Sequence, residues 1–319
     1  MNSLEKSILV TICYFDVFDY PLTLVEIWQW LYVGQKAETQ NLGTTKIFDV
    51  QNALDVSDYL KKRIECQNGF YFLYGRKGLV EKRMARYNIA ESKYKKAIRA
   101  IKILKYVPYV KTLAICNNLS YQNARNDSDI DLFIIIKSGR LFSARLLVTL
   151  ITHFLRMRRH HRLIKDRICL SFYVTDKFLN LESLLKKPYD PHFAFWFSQF
   201  VPVYDRGTFR KLMEENGWLK NYLPNSFFYY TTLRRTVSDT FFSKHFKNGC
   251  EYILSSFLGD WLEKIVRYLQ MKRIRQNKSS KLRKGGTDVI AGDNILKFHE
   301  EDRREIYRFE MENRINKFA

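Results

Sequence analysis

The sequence predicts an α+β protein, and three patterns carry that prediction. Apolar residues recur at helical spacing from Leu4 to Leu60 and then give way to a strand–turn–strand segment. Two apolar runs, Val110–Cys116 and Ile130–Ile136, read as strands on either side of a long polar turn. The final third, from about residue 206, returns to helical patterning.

Residues 1–75 read as a small helical unit closed by a hairpin. Leu4, Ile8, Leu9, Ile12 and Phe15 share a helical face. Pro21 is expected to open a second helix, with Leu24, Ile27, Trp28 and Leu31 on one side, and Val50 to Leu60 to make a third. Ile64–Leu73 follows as a hairpin turning at Asn68-Gly69, a dipeptide that accepts the left-handed backbone of a tight turn. Three helices and a hairpin resemble a winged helix. In DNA-binding versions the third helix enters the major groove. Here that helix carries Asp55 and Asp58 and meets no Lys or Arg before Lys61. DNA reading therefore stays open beside protein contact or substrate presentation.

Residues 76–105 form a connecting helix rich in Lys and Arg, from Lys82 through Lys93 and Lys96 to Lys105. Ala90, Tyr94, Ala97, Ile101 and Leu104 recur along it at helical spacing. The expectation is that this stripe packs on the next unit while the charges meet water. The alternative is an electrostatic track for nucleic-acid phosphates.

Residues 106–205 carry the chemistry. Asp129 and Asp131 stand two apart at the mouth of an apolar strand, so both carboxylates leave one face, roughly 6.5 Å apart along the backbone. Two negative charges held that close cost free energy unless a cation shares the site. Hard oxygen donors favour Mg²⁺, which completes its shell with water and substrate phosphates. The pair points to metal-dependent phosphoryl chemistry. The simpler alternative is that Asp127, Ser128 and Asp129 form a turn and a strand cap.

The strand Val110–Cys116, the turn after it, and Ser128-Asp129-Ile130-Asp131-Leu132 resemble the nucleotidyltransferase superfamily related to DNA polymerase beta. More loosely, Asp19-Tyr20-Pro21, Gly139-Arg140-Leu141 and the distal His299 resemble bacterial members with an added N-terminal domain. The resemblance implies a nucleotidyltransferase mixed-sheet core with helical flanks, preceded by the winged-helix-like unit. It implies a Mg²⁺ (or Mn²⁺) ion held by Asp129 and Asp131 as the catalytic pair. A nucleoside triphosphate would be the substrate, its monophosphate passing to an acceptor hydroxyl. The triphosphate would lie against Asn117, Asn118 and Ser128, with Lys137 and Arg140 either neutralising its charge or sitting in an exposed turn around Gly139.

The sequence departs from the family twice. Its Gly-Ser pair appears as Asn117-Asn118; asparagine tolerates left-handed backbone and its amide can donate to phosphate. The third acidic residue is missing as well. Asp166–Val174 reads as a later strand whose inward face is Cys169, Ser171 and Tyr173. Asp166 and Asp176 flank it and replace the missing acid only in another register. These departures keep a rival reading open, a nucleotide- or nucleic-acid-binding module or winged-helix regulator that has lost the chemistry.

Ala144–Leu155 is the most apolar helical segment, expected to be buried and too short to span a bilayer. Arg156–Arg162 reads as a solvated basic loop, since His160 and His161 are adjacent rather than one helical turn apart. Tyr173 and Tyr189 either stack on a base or fill a core. Residues 206–319 are expected to be a helical C-terminal region. Within it Phe257–Met271 is amphipathic, Lys278–Gly286 a polar loop, and Phe298-His299 with Asp302 opens a last helix. His299 reads as structural more readily than as a site residue.

Composition narrows the class further. Fifty-four Lys and Arg against 33 Asp and Glu give a net charge of +21, which favours polyanionic partners: nucleic acid, nucleotide phosphates or an anionic membrane face. No Walker or dinucleotide-binding glycine pattern is present. The five cysteines are scattered without a close pair, which argues against a disulfide framework or a zinc site. With no signal peptide evident, a cytoplasmic protein without a membrane span is the expectation.

Overall fold

The computed structural model describes residues 2–34, 45–160, 163–226, 235–277 and 281–318. The chain begins with α1 (Ser3–Asp16), capped by a reciprocal pair in which Asn2 accepts from the Glu5 backbone and Glu5 accepts from that of Asn2. β1 (Leu22–Thr23) and α2 (Leu24–Gln29) come next. Pro21 does not open the second helix. Thr23 does, through a capping box with Glu26, and this leaves Leu22 extended to pair with Tyr71. The expected third helix is split into α3 (Ile47–Val56) and α4 (Asp58–Lys61), because Ser57 is extended and its hydroxyl caps the Leu60 amide. β2 (Ile64–Gln67) and β3 (Phe70–Leu73) form the hairpin, with Asn68 and Gly69 both at positive φ. The three strands make an antiparallel sheet in the order β1-β3-β2.

α5 (Leu79–Leu104) leads into the central unit: β4 (Val110–Ile115), α6 (Asn117–Ser120), β5 (Ile130–Ile136), α7 (Leu141–Phe154), β6 (Ile168–Thr175), α8 (Pro191–Ser198) and β7 (Val201–Asp205). α9 (Thr208–Glu215), α10 (Phe241–Ile253) and α11 (Phe257–Gln276) follow. The chain ends with β8 (Val289–Ala291), β9 (Ile295–Phe298) and α12 (Arg304–Phe318). The main sheet is mixed, in the order β7-β4-β5-β6-β9-β8. β5 and β6 are parallel and every other pair is antiparallel. The C-terminal region is therefore not purely helical: β9 lies against β6, Lys297 opposite Phe172. Of the expected polar loop, residues 278–280 lie outside the described residues, and Lys281–Lys284 form a 3₁₀ turn. No described helix is long and apolar enough to cross a membrane.

Alternation along β5 divides the core. Phe133 and Ile135 face one side, where Phe172, Val174 and the aromatic α8 join α1 and much of the first 75 residues. Leu132, Ile134 and Ile136 face the other, against α5, α7 and α11. The helical stripe of α5 is buried as its spacing predicts, and Lys93 is buried with it at 1% exposure.

A second buried cation ties the C-terminal segment to the middle of the chain. Arg304, 7% exposed, donates to Asp190 Oδ2 at 2.7 Å and to the Leu184 carbonyl at 2.8 Å, and its Nε binds Asp302. Asp190 is in turn the cap of α8, accepting from the Phe193 amide at 3.0 Å. Arg304→Ala leaves the buried Asp190 carboxylate without its cation and Asp302 with only Lys186 and Lys297, and a loss of about 3 kcal/mol in unfolding free energy is expected. Denaturant titration measures it; a change below about 1 kcal/mol would mean the cluster is not a structural tie.

Candidate functional site

Four strand ends meet at one edge of the main sheet. β4 is antiparallel to β5 with Ile115 opposite Leu132, so the chain leaving β4 passes beside the start of β5, and the Cys116 amide bonds the Asp131 carbonyl at 3.2 Å. That register sets Asn117 and Asn118 against Asp129 and Asp131. β6 starts in parallel with β5, Cys169 opposite Asp131. β9 ends beside the start of β6, and His299 Nε2 lies 3.3 Å from the Ser171 hydroxyl.

Asp129, Asp131 and Cys169 bring their ligand atoms within 4.8 Å of one another, the one group of potential metal ligands of this kind among the described residues. Asp129 is held by Arg159 at 2.6 Å. Among the described residues Asp131 forms no ion pair; the Asn117 amide and the Cys169 thiol donate to it, and the Arg159 charge acts on it more weakly. Burial, and then the charge of Asp129, push the Asp131 carboxyl up to about 6. Burial and the two carboxylates also push the Cys169 thiol up, so at neutral pH it stays protonated.

Asn117 takes φ +57°, a left-handed conformation that asparagine adopts more readily than most residues. Its side-chain oxygen accepts from Trp196 Nε1 at 2.6 Å, which turns the NH₂ group towards Asp131. Asn118 Oδ1 accepts from the Tyr121 hydroxyl at 2.8 Å.

The pair opens into a cavity of about 1600 Å³ that reaches from α7 and the start of β6 across to α1, α8 and α12. Seven Lys and Arg side chains line it against five carboxylates, so its field favours anions. Aromatic groups line it as well: Trp196 beside Asn117, and Tyr14, Phe18 and Tyr307. Tyr14 stacks on Phe195 and its hydroxyl meets His192 Nδ1 at 2.8 Å. Burial, reinforced by neighbouring cations, lowers both His192 and His299 to about 3, so both imidazoles are neutral at pH 7.

The donor set suits a hard cation in part. Two carboxylates beside an open anion-attracting cavity match the way Mg²⁺ is held, by one or two side chains plus phosphates and water. A neutral thiol adds nothing for such an ion, so Cys169 does not replace the missing carboxylate.

Several expected site residues lie elsewhere. Lys137 and Arg140 are at the far end of β5. Lys137 sits over the Tyr109 ring, and Arg140 pairs with Asp260 at 2.5 Å. A seven-residue strand separates them from the aspartates by roughly 20 Å, so neither belongs to the cavity. Ser128 is in the turn before Asp129; its hydroxyl is spent on the Arg125 carbonyl at 2.9 Å. Asp166 binds Lys93 and Lys96, and Asp176 binds Lys111, so neither flanking aspartate completes the pair. The expected face of Cys169, Ser171 and Tyr173 is broken by a shift of register between Asp131 and Phe133, which places Phe172 opposite Phe133 and sends Tyr173 to the other face beside Arg145. Tyr173 and Tyr189 are not base-stacking groups: the first is fully buried, and the second binds Glu312 and Arg308.

Trp196 and Arg159 line the candidate site and are passed over by pattern reading, whereas Cys169 and Ser171 lie on the inward face expected of them. Arg159 belonged to the basic cluster expected to be solvated, of which His161 and Arg162 lie outside the described residues. Its signal was only proximity to the strand that follows. His299 lines the cavity after all. Comparison with family models, with curated proteins and with solved structures finds no match to this chain.

The raised carboxyl has a measurable consequence. Between its ordinary value of 3.8 and about 6, the folded chain holds more of the Asp131 proton than the unfolded chain does, so this group lowers stability as pH rises through that window. Asp131→Asn removes the penalty. In metal-free buffer the variant is expected to melt above the parent at about pH 7.5, with the gap closing towards about pH 4. Equal melting at both values would show that the pair is not strained.

Proposed function

We propose that this chain is a metal-dependent nucleotidyltransferase that moves a nucleoside monophosphate from a nucleoside triphosphate to an acceptor hydroxyl. One observation carries the reading: Asn117-Asn118 and the Asp129/Asp131 pair converge at adjoining ends of antiparallel strands, under a basic cavity. The strand–turn–strand order, followed by a helix and a parallel strand, supports the resemblance seen in the sequence. The helix and strand order of the first 75 residues supports a winged-helix-like unit in the same way.

Asp129 and Asp131 are the residues that would hold a Mg²⁺ (or Mn²⁺) ion, which when bound supplies charge neutralisation across the triphosphate and the departing pyrophosphate. Asn117 and Asn118, with nearby backbone amides, would hold the β- and γ-phosphates. Arg159 lines the same cavity and offers phosphate a planar guanidinium. The acceptor oxygen bonds the α-phosphorus as the bond to pyrophosphate breaks, and the acceptor's proton passes to water. Neither the neutral Cys169 thiol nor Ser171 is a base, so turnover is expected to be slow. The cavity exceeds the usual size of a single small-ligand site, which leaves room for an acceptor beside the nucleotide.

A second reading, nucleotide binding without transfer, is favoured by two features. A cysteine stands where a third carboxylate is needed, and Arg159 already spans Asp129. Calorimetric titration with ATP separates the cases. Binding that requires Mg²⁺ and disappears in Asp129→Ala/Asp131→Ala supports the metal–nucleotide site, and pyrophosphate release on adding candidate acceptors establishes transfer. Metal-independent binding without pyrophosphate supports the second reading; no binding in any condition rejects both. Trp196→Phe removes the bond that orients Asn117 and is expected to weaken ATP binding roughly fivefold with the fold retained.

A further inference from the structure

α10 and α11 turn large apolar side chains away from the protein, which an ordinary surface helix does not. Their inner stripes pack on the protein through Ser243 and Lys247 in α10, and through Gly259, Glu263 and Val266 in α11. At roughly 100° per residue, the side of α10 facing away from that stripe carries Phe241, Phe242, Tyr252 and Ile253, with Phe246 on its flank against Tyr106. The outward side of α11 carries Phe257, Leu258, Trp261, Tyr268 and Leu269. These side chains are exposed, Tyr252 by 84%, Phe241 by 81% and Phe257 by 80%. The two helices are joined by a close turn in which a side chain at Gly259 would strike the Leu254 carbonyl. Single exposed apolar residues need no explanation, but a run of this size over consecutive helices marks a surface that something covers.

The charges of the same helices indicate what covers it. Each acidic side chain of the pair has a partner on the rest of the protein, although Asp260 stays about half exposed. Glu251 accepts from the Tyr109 amide, Glu263 from the Phe142 and Ser143 amides, and Asp260 from Arg140. The exposed charges left beside the aromatic residues include Lys244, Lys264, Lys272 and Arg273. Phe, Trp and Leu flanked by lysine and arginine, with Asp260 the one exposed acid of the two helices and itself paired with Arg140, is the composition of helices that lie in a bilayer interface. A second copy of the chain is a poorer occupant, because it would bring two molecules of net charge +21 together along these cations.

We propose that the outward face of α10 and α11 docks on an anionic lipid bilayer surface, the aromatic side chains entering the headgroup boundary and the lysines meeting lipid phosphates. The proposal does not depend on the activity of the Asp129/Asp131 site. Flotation of the full chain with phosphatidylcholine vesicles, with and without about 30% phosphatidylglycerol, tests it. Binding to the anionic vesicles only, weakened by salt, is expected. Phe242→Glu/Trp261→Glu, at exposed positions, is expected to reduce that binding at least about tenfold without lowering the melting temperature. Lys264→Glu/Lys272→Glu should weaken it while leaving the apolar face intact. Absence of vesicle binding, or binding unchanged in both variants, overturns the proposal. So does a dimer seen by sedimentation that the first variant dissociates while vesicles are ignored; that result would assign the face to a second copy.

Discussion

The geometry of the site depends on one buried ammonium group. Lys93, inside the apolar stripe of α5, donates to the carbonyls of Asn126 and Ser128 at 3.2 and 2.7 Å and to Asp166 at 2.8 Å. The first two belong to the loop that delivers Asp129, and the third to the loop that delivers Cys169. A single charge, desolvated by α5, thus fixes where β5 and β6 begin. Burying an ammonium group is costly unless its donors are met, and here each of its three hydrogens has an acceptor. The Asp166 amide returns a bond to the Ser128 carbonyl at 3.1 Å, closing the two loops on each other.

A second line of support reaches the site from the end of the chain. Arg304 fixes Asp190, Asp190 caps α8, and α8 presents Trp196 to Asn117. Asn117 in turn donates to Asp131. Each link is a hydrogen bond to a group that is otherwise buried, so loosening one leaves an unmet polar atom at the next. The C-terminal segment supplies Arg304, completes the sheet with β9 and brings His299 to Ser171. A region that reads as peripheral in the sequence therefore builds part of the cavity wall.

Much of this was legible where the signal is local. The helix spacing of α1 and α5, the Asn68-Gly69 hairpin and the Asp129/Asp131 strand follow from period and turn chemistry alone. The C-terminal strands were hidden because Val289–Ala291 and Ile295–Phe298 are too short to show alternation. The face of β6 was misread because a register shift after Asp131 reverses the parity of every later residue, and nothing in the local pattern marks it. Lys137 and Arg140 were placed by nearness in sequence, although strand direction carries them to the wrong end. Lys93 was visible in one respect: it falls one turn from Ala90 and Ala97, on the stripe itself, where an exposed lysine does not belong.

The charge balance of the cavity links these parts. Asp129 and Asp131 cannot both be ionised without cost, and Arg159 bonds the first while drawing only weakly on the second. The surrounding wall holds more cations than anions, so the site as a whole is short of negative charge while its centre has too much. A lone anion would ease the wall and worsen the centre; a lone cation would do the reverse. A polyphosphate bound together with a divalent cation meets both demands at once, because it puts positive charge between the carboxylates and negative charge against the arginines. This electrostatic pattern does not require a third carboxylate, so it would suit the binding proposed above without by itself providing for fast transfer.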